Sequence, residues 1–288
     1  KHFTFELQNI SFINNSCESL YGGGTGLQLL GASQISFINC KFINNRAKQN
    51  TGTSRPTKSS DKPYYNGDGG GIQLGFSCEM NDFHLLLQEC FFSNNKAHRH
   101  GGAIAIQTLR DVTISNCIFE NNEANCNSEN SELLYENHFD KKSEGRGGAI
   151  YINPVYSYDD DSLSCKSPSL FMSKVIIEEC KFNKNNGYDG YAMYFEGDDP
   201  KANFLIQKND FFDNYNEKNH DGDQNKIYGA VITTEILSLS REQIIKDNNF
   251  SYTILELTVP EVSYVDHYGK TATKPFSKSE EFTESNTF

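Results

Sequence analysis

The run LLLQECFFSNNKAHRHGGAIAIQTL, residues 85–109, contains one complete structural unit of this chain. It begins with alternating apolar residues at Leu85 and Leu87, continues through Phe92 and Asn95, and closes with a glycine pair before Ile104. Alternation with a period of two is typical of a β-strand that buries one face. The unit therefore predicts short strands joined by turn residues.

The same unit recurs along the chain, anchored on a phenylalanine that has an asparagine three residues later. The anchors are Phe12, Phe42, Phe92, Phe119, Phe182 and Phe211, and the asparagines are Asn15, Asn45, Asn95, Asn122, Asn185 and Asn214. An apolar pair stands five and seven residues before every anchor, and Phe250 resembles a decayed seventh copy. Successive anchors are 30, 50, 27, 63, 29 and 39 residues apart, so the shortest spacing indicates the bare unit and the others indicate insertions.

A second alternating strand is predicted after each glycine cluster, at Leu27/Leu29, Ile72/Leu74, Ile104/Ile106, Ile150/Ile152, Met193/Phe195 and Val231/Thr233. One unit of this size cannot bury its own apolar face, which favours a solenoid of stacked units. Strands without helical patterns between them predict an all-β, single-stranded parallel β-helix of about seven coils, roughly 35 Å long at about 4.8 Å per coil.

Stacking in register predicts two ladders of equivalent side chains. Cys40, Cys90, Cys117 and Cys180 each stand two residues before an anchor phenylalanine, and parallel side chains in a column have poor geometry for disulfides. We therefore expect them to be free, buried packing residues beside the phenylalanine ladder. The repeated asparagines suit a ladder at a turn in which each amide bonds to the amides of the coils above and below.

The pairing of FxxN with GGAI resembles the repeats of the polymorphic membrane protein family. FxxN occurs at the six anchors, GGAI is complete at 101–104 and 147–150, and degenerate copies stand at 69–72, 190–193 and 228–231. The resemblance covers about residues 5 to 250. It implies a right-handed parallel β-helix with a surface or secreted role, adhesive or structural, and it supplies no catalytic residues.

The domain organisation follows from where the repeat stops. Residues 1–250 are predicted to form the β-helix, and residues 251–288 a cap or assembly segment with a flexible acidic tail. Insertions at 46–68, 123–146 and 215–227 occupy the same place in the repeat, so stacking would put them on one edge of the solenoid. Such clustering indicates either a contact surface or a corner that tolerates decoration.

Composition restricts the compartment and the partners. The net charge of −12 argues against nucleic acid, and no apolar run is long enough to span a membrane. Lys1 opens the chain directly in a strand, so we expect a signal segment or further repeats upstream. Four cysteines off the ladder are either exposed thiols or two disulfides of an oxidising compartment, namely Cys17, Cys78, Cys126 and Cys165. Sequons make Asn9, Asn14 and Asn249 candidates for glycosylation.

Candidate chemistry is sparse. Polysaccharide lyases and hydrolases need carboxylates that converge on one face, whereas the outward positions of the second strand are predicted to carry Gln28, Gln73, Ala105, Tyr151, Tyr194 and Ile232. No cofactor is expected; Asp159–Asp161 and the Asp221/Asp223 pair are weak calcium candidates, because neither has a defined loop spacing. His98, Arg99 and His100 are interpreted as a solvated turn. Tyrosines at predicted outward or loop positions suit protein or glycan contacts, namely Tyr64, Tyr65, Tyr151, Tyr156, Tyr158, Tyr188, Tyr191 and Tyr194.

Three functions compete on this basis. The favoured hypothesis is a non-catalytic extracellular or cell-surface β-solenoid that binds a surface protein or glycan, or assembles with itself end to end into a fibre. The alternative is a carbohydrate-active enzyme on a parallel β-helix. An intracellular scaffold is the third, and it predicts eight free cysteines.

Overall fold

The structure, a computed structural model, describes residues 4–17, 25, 34–48, 67–74, 84–107, 111–124, 145–153, 174–187, 190–196, 203–214, 231–234, 244, 246–251, 264–265 and 271–272. Within these ranges the chain forms 25 strands, and all but the last two lie in four parallel sheets. Within the described residues, coils two to five contribute one strand to each sheet in turn, the other coils contribute to some of the sheets, and equivalent strands of successive coils pair in register. The predicted all-β parallel β-helix is confirmed.

The strands are grouped here by sheet. The first sheet contains β1 (Thr4–Gln8), β4 (Gln34–Ile38), β8 (His84–Gln88), β12 (Asp111–Ser115), β16 (Lys174–Glu178) and β20 (Asn203–Gln207). The second sheet contains β2 (Ser11–Ile13), β5 (Lys41–Ile43), β9 (Phe91–Ser93), β13 (Ile118–Glu120), β17 (Lys181–Asn183), β21 (Asp210–Phe212) and β23 (Asn249–Ser251).

The third and fourth sheets complete each coil. The third sheet contains β3 (Ser16–Cys17), β6 (Arg46–Ala47), β10 (Lys96–Ala97), β14 (Glu123–Ala124) and β18 (Asn186–Gly187). The fourth sheet contains β7 (Ile72–Leu74), β11 (Ile104–Gln107), β15 (Ile150–Asn153), β19 (Met193–Phe195) and β22 (Ile232–Thr234). Outside the helix, β24 (Tyr264–Val265) and β25 (Thr271–Ala272) pair antiparallel.

The anchor phenylalanines form one continuous stack through the core. Consecutive ring centroids are 4.7 to 5.0 Å apart and the rings are within 12° of parallel, from Phe12 to Phe250. Phe250 pairs in register with Phe211, so the seventh copy joins the second sheet. Its coil departs from the others just before that strand, because residues 244 and 246–247 are helical where the earlier coils have a first-sheet strand.

Two corners of each of coils one to six are closed by a single residue in the left-handed region. One such residue stands three positions before the anchor and the other two positions after it, and their φ values lie between 45° and 58°. Asparagine occupies most of these positions, which suits its tolerance of this conformation. Because one residue makes each turn, the first, second and third sheets are joined without insertions in all the coils described.

The turn asparagines form a continuous ladder beside these corners. Asn122 donates from its Nδ2 to the Asn185 Oδ1 at 3.0 Å and to the Phe92 carbonyl oxygen at 3.0 Å. Its own Oδ1 accepts from the backbone N and the Nδ2 of Asn95, at 3.1 and 3.0 Å. The same pattern links all six asparagines, so each amide between Asn15 and Asn214 bonds to the coils on both sides.

The cysteine column is also a hydrogen-bonded ladder rather than inert packing. The backbone N of Cys90 donates to the Cys117 Sγ at 3.4 Å, and that of Cys117 donates to the Cys180 Sγ at 3.4 Å. The column continues into asparagine, since the backbone N of Cys180 donates to the Asn209 Oδ1 at 2.9 Å and that of Asn209 donates to the Asn248 Oδ1 at 3.0 Å. Thiol and amide therefore have the same role as acceptors for the preceding coil.

The sequence-based alignment of the sixth coil is wrong by one residue. Met193 pairs with Ile232, not with Val231, and Tyr194 pairs with Thr233. Val231 takes the place of Ala192, because its carbonyl oxygen accepts the backbone N–H groups of Ala192 and Met193 just as the Ala192 carbonyl accepts two from the coil before. The glycine corner of this coil is thus GAVI at 229–232, and Thr233 replaces Ile232 in the outward column.

Candidate functional site

The insertions all border the strands of the fourth sheet, which makes its outer face the candidate site. In coil two residues 48–71 join β6 to β7, and in coil four residues 125–149 join β14 to β15, whereas only residues 98–103 join β10 to β11 in coil three. Residues 75–83, 154–173 and 196–202 join the fourth-sheet strands β7, β15 and β19 to the next first-sheet strand. The first two insertions are shorter than predicted, since β6 and β14 take up residues 46–47 and 123–124.

The glycine corner holds the fourth-sheet strands of coils two to four close to the third sheet. Gly101 and Gly147 have φ of 64° and 67°, and a Cβ added to the glycine after each would lie 2.0 and 2.1 Å from a backbone oxygen of the next coil. A side chain at either of these second positions would push the coils apart. The insertions before β7 and β15 therefore end at a rigid, fixed point.

The outward column of the fourth sheet is buried, contrary to the sequence-based prediction. Ala105, Tyr151 and Tyr194 form a second apolar cluster outside the main core, and Tyr151 and Tyr194 are 3% and 2% exposed. Tyr191 is likewise buried. The alternation places Tyr151 and Tyr194 outward correctly, but their face is covered.

Tyr151 and Tyr194 belong to a polar cluster that ties three coils together. Glu196 accepts hydrogen bonds from the Tyr151 hydroxyl and, at 2.8 Å, from the Arg146 Nη1. The Arg146 guanidinium carbon lies 4.5 Å from the centroid of the Tyr194 ring, and the His100 ring stacks on Tyr151 at 4.5 Å. Burial, with the negative charge of Glu196, raises the pKa of Tyr151 well above its usual value, so the phenol stays a neutral donor.

A second ionic contact lies at the corner that leads into this column. The fully buried carboxylate of Asp68 accepts from the Arg99 Nε at 2.8 Å, from its Nη2, and from the His100 backbone N at 3.1 Å. Burial opposes ionisation, but the adjacent guanidinium outweighs it and lowers the pKa of Asp68. The predicted solvated turn at His98–His100 is therefore wrong: Arg99 is paired, and His100 is 6% exposed.

Burial also sets the protonation of the two histidines. It lowers the pKa of His100 well below the usual value, and the positive charge of Arg99 lowers it further. The pKa of His98 is lowered for the same reasons, with a contribution from Arg46. The His100 Nδ1 accepts from the Arg146 backbone N at 3.4 Å, which is consistent with a neutral ring. His100 therefore acts as a packing and acceptor group, not as a cation.

The remaining candidate residues divide between described and undescribed parts of the chain. Asn9, Asn14 and Asn249 are exposed, and the first two stand at left-handed corners with φ of 57° and 58°. Cys17 is a free, half-buried thiol, while Cys78, Cys126 and Cys165 lie outside the described residues. Other candidates also lie outside the described residues: Leu27, Gln28, Leu29, the calcium candidates Asp159–Asp161, Asp221 and Asp223, and the tyrosines at 64, 65, 156, 158 and 188. Glycosylation, disulfides and calcium remain predictions.

Sequence reasoning missed the partners of the corner residues. Asp68 and Arg99 are separated by 31 positions, with the first insertion just ahead of them, so no local pattern connects them. The left-handed corners did leave a signal, because asparagine stands three residues before three of the six anchors and two residues after four of them. In the part of the chain that the structure describes, no three His, Cys, Asp or Glu side chains are grouped to hold a metal ion.

The geometry defines a class of protein: a parallel β-helix with four strands per coil, three plain walls and one decorated sheet. The family model of the Chlamydia polymorphic membrane protein repeat matches residues 89–107 and 116–153. These two stretches contain both complete GGAI copies, so the resemblance drawn from FxxN and GGAI is confirmed, and the chain carries repeats of this type. No curated protein and no solved structure matches the chain. None of the described helical residues forms a helix able to cross a membrane.

Proposed function

We propose that this chain is a non-catalytic, extracellular or cell-surface β-solenoid whose work is adhesion or assembly. The observation that supports it is the confinement of every internal insertion to the borders of one sheet. Variable segments held at fixed points on a rigid scaffold are the usual arrangement of binding surfaces. The repeat family supports a surface role by resemblance.

The three ladders support a scaffold that holds its shape. Phenylalanine, asparagine and cysteine columns run through consecutive coils, and each interior residue contacts the coil on either side. Stability of this kind depends on interfaces between neighbouring coils rather than on a closed core. Segments mounted on it are thus presented with fixed spacing, about 4.8 Å for each coil.

A more specific version of the proposal is end-to-end assembly. The ladders have a direction, because each turn asparagine donates its backbone N–H and an Nδ2 hydrogen to the Oδ1 of the following coil. The contacts that join coils within one chain are therefore suited to joining chains head to tail, and a repeated head-to-tail contact gives an open fibre. Particle imaging at rising protein concentration tests this version; compact single particles at every concentration would reject it.

The insertions can be excised without changing the coil geometry. Deleting 49–66 leaves Lys48, Gly67 and Asp68 between Ala47 and Gly69, which matches the three residues that join Ala97 to Gly101 in coil three. The ends are already adjacent, since the Lys48 carbonyl carbon lies 3.5 Å from the Cβ position of Gly67. Deleting 125–144 leaves two residues between Ala124 and Gly147, which matches the two that join Gly187 to Gly190.

The decisive experiment compares these two deletions with the intact chain and with Lys174→Gln, which changes an exposed side chain on the undecorated first sheet. Circular dichroism and melting temperature report the fold, and binding to a panel of cell lines and immobilised glycans reports adhesion. We expect all proteins to fold, the deletions to lose binding, and Lys174→Gln to keep it. Full binding by the double deletion would refute a contact role for the insertions. Product release from acidic polysaccharides, with or without calcium, would favour the carbohydrate-active enzyme instead.

A further inference from the structure

The positive charge of this acidic chain is concentrated in one coil. Coil two, residues 34–74, contains six Lys or Arg and two Asp, a net charge of +4. The whole chain has a net charge of −12, so the other residues together carry −16. One of the two aspartates of coil two is Asp68, which is buried and paired with Arg99, so it does not neutralise the outer surface.

Two of these cations lie on the plain walls, away from the fourth sheet. Lys41 begins β5 in the second sheet and Arg46 begins β6 in the third, and both side chains are exposed. Neither forms an ion pair within the described residues. The next coil ends the positive patch, because Lys96, the register partner of Arg46, is neutralised by Glu123 at 2.6 Å.

The neighbouring groups suit a sugar polymer with anionic substituents. The register partner of Lys41 in the next coil is Phe91, whose half-exposed ring lies on the same outer face. A ring beside two unpaired cations can pack against a sugar while the cations bond its sulfate or carboxylate groups. Ile118, the register partner of Phe91 in the following coil, is 40% exposed, so an apolar strip continues beside Lys41 along the same outer face. Duplex nucleic acid would extend onto acidic coils and be repelled.

We propose that the exposed band of coil two, centred on Lys41, Arg46 and Phe91, binds a sulfated or uronate-bearing glycan. Burial and the positive charge of Arg99 lower the pKa of His98, and Arg46 adds a smaller contribution in the same direction. The inference rests on the adhesive function proposed above and names the chemistry of its partner.

The test measures binding of a short heparin oligosaccharide to the full chain at several salt concentrations. We expect affinity to fall as salt rises. The double variant Lys41→Gln, Arg46→Gln should weaken binding about tenfold or more, because each cation near an anionic surface raises affinity by about tenfold at most. The matched control is the double variant Lys181→Gln, Lys184→Gln, which removes the same charge from exposed positions of coil five. Lys181 lies in the same column of the second sheet as Lys41. The control should weaken binding less than twofold.

Each comparison can overturn the inference. Equal losses in the two double variants would mean a diffuse charge effect, and equal affinity for fully desulfated heparin would remove the role of the anionic groups. Poly-glutamate or duplex DNA binding as tightly as heparin would replace the glycan by an acidic protein or a nucleic acid. Absence of heparin binding in a chain that still adheres to cells rejects this inference alone. Heparin binding without adhesion supports it and rejects the adhesive form of the proposed function.

Discussion

Replacing Asn122 by alanine tests whether the asparagine ladder stabilises the solenoid. Asn122 is fully buried and takes part in four side-chain hydrogen bonds with three other residues. Truncation leaves three groups without partners: the backbone N–H of Asn95, one hydrogen of the Asn95 Nδ2 and the carbonyl oxygen of Phe92. The Asn185 Oδ1 remains bonded, because the backbone N of residue 122 still donates to it at 3.1 Å.

The expected cost follows from those three orphaned groups. A buried polar group that loses its partner costs about 1 to 3 kcal/mol, so Asn122→Ala should lower the free energy of unfolding by about 3 to 6 kcal/mol once the coils relax. That is a large part of the roughly 5 to 15 kcal/mol typical of a folded domain. Urea denaturation followed by circular dichroism measures the difference, with the slope of the transition checked for loss of cooperativity.

The matched control is Asn15→Ala at the end of the described ladder. Asn15 donates to the Asn45 Oδ1 from its Nδ2 at 2.9 Å and from its backbone N at 3.0 Å, and the backbone bond survives truncation. No buried group is orphaned, so the cost should be about 1 kcal/mol. Similar losses in the two variants would show that the ladder is a by-product of stacking and not a source of stability.

Three further outcomes are expected. Cys180→Asn should leave stability nearly unchanged, whereas Cys180→Ala, which removes the Sγ without adding a group, should cost about 1 to 3 kcal/mol in the same denaturation assay, because alanine gives the Cys117 backbone N–H no acceptor; equal costs would count against the thiol as an acceptor. The pKa of His100 is lower in the folded chain than in the unfolded chain, so below about pH 6.5 the unfolded chain binds more protons. The free energy of unfolding should therefore fall as pH drops below about 6.5, by up to about 1.4 kcal/mol per pH unit. His100→Phe should flatten that slope. In native protein an aromatic disulfide reagent should modify Cys17. The buried ladder thiols, Cys40, Cys90, Cys117 and Cys180, should stay unmodified until denaturant is added. Rapid labelling of these thiols in the native protein would contradict their burial.

The sequence allowed the core to be predicted because the core repeats. A phenylalanine at fixed spacing from an asparagine can satisfy every coil in only one register, so Phe12 to Phe250 fall into one stack. The sixth coil was misaligned since Tyr228-Gly-Ala-Val and Gly229-Ala-Val-Ile both resemble the motif. Only the pairing of Ile232 with Met193 separates them.

The outer face could not be predicted in the same way. Alternation fixes the direction in which Tyr151 and Tyr194 point, but not what lies over them, and the partners of Asp68 and Arg146 come from other coils. Contacts of this kind depend on three-dimensional neighbours that share no periodicity. The prediction of exposed tyrosines failed there for that reason, whereas the predicted edge for the insertions follows from the repeat itself.

The position of the insertions has a physical cause in the corners of the coil. Between the first, second and third sheets, one left-handed residue turns the chain, and the next residue is a buried ladder member bonded to coils on both sides. An insertion at either corner would pull that ladder member away and orphan polar groups in two neighbouring coils. Among the described residues, the corner before each of β7, β11 and β15 has no such ladder, only a glycine pair that fixes where the strand begins. Added sequence is therefore tolerated there, and a repeat chain of this design can change its insertions while its ladders stay intact.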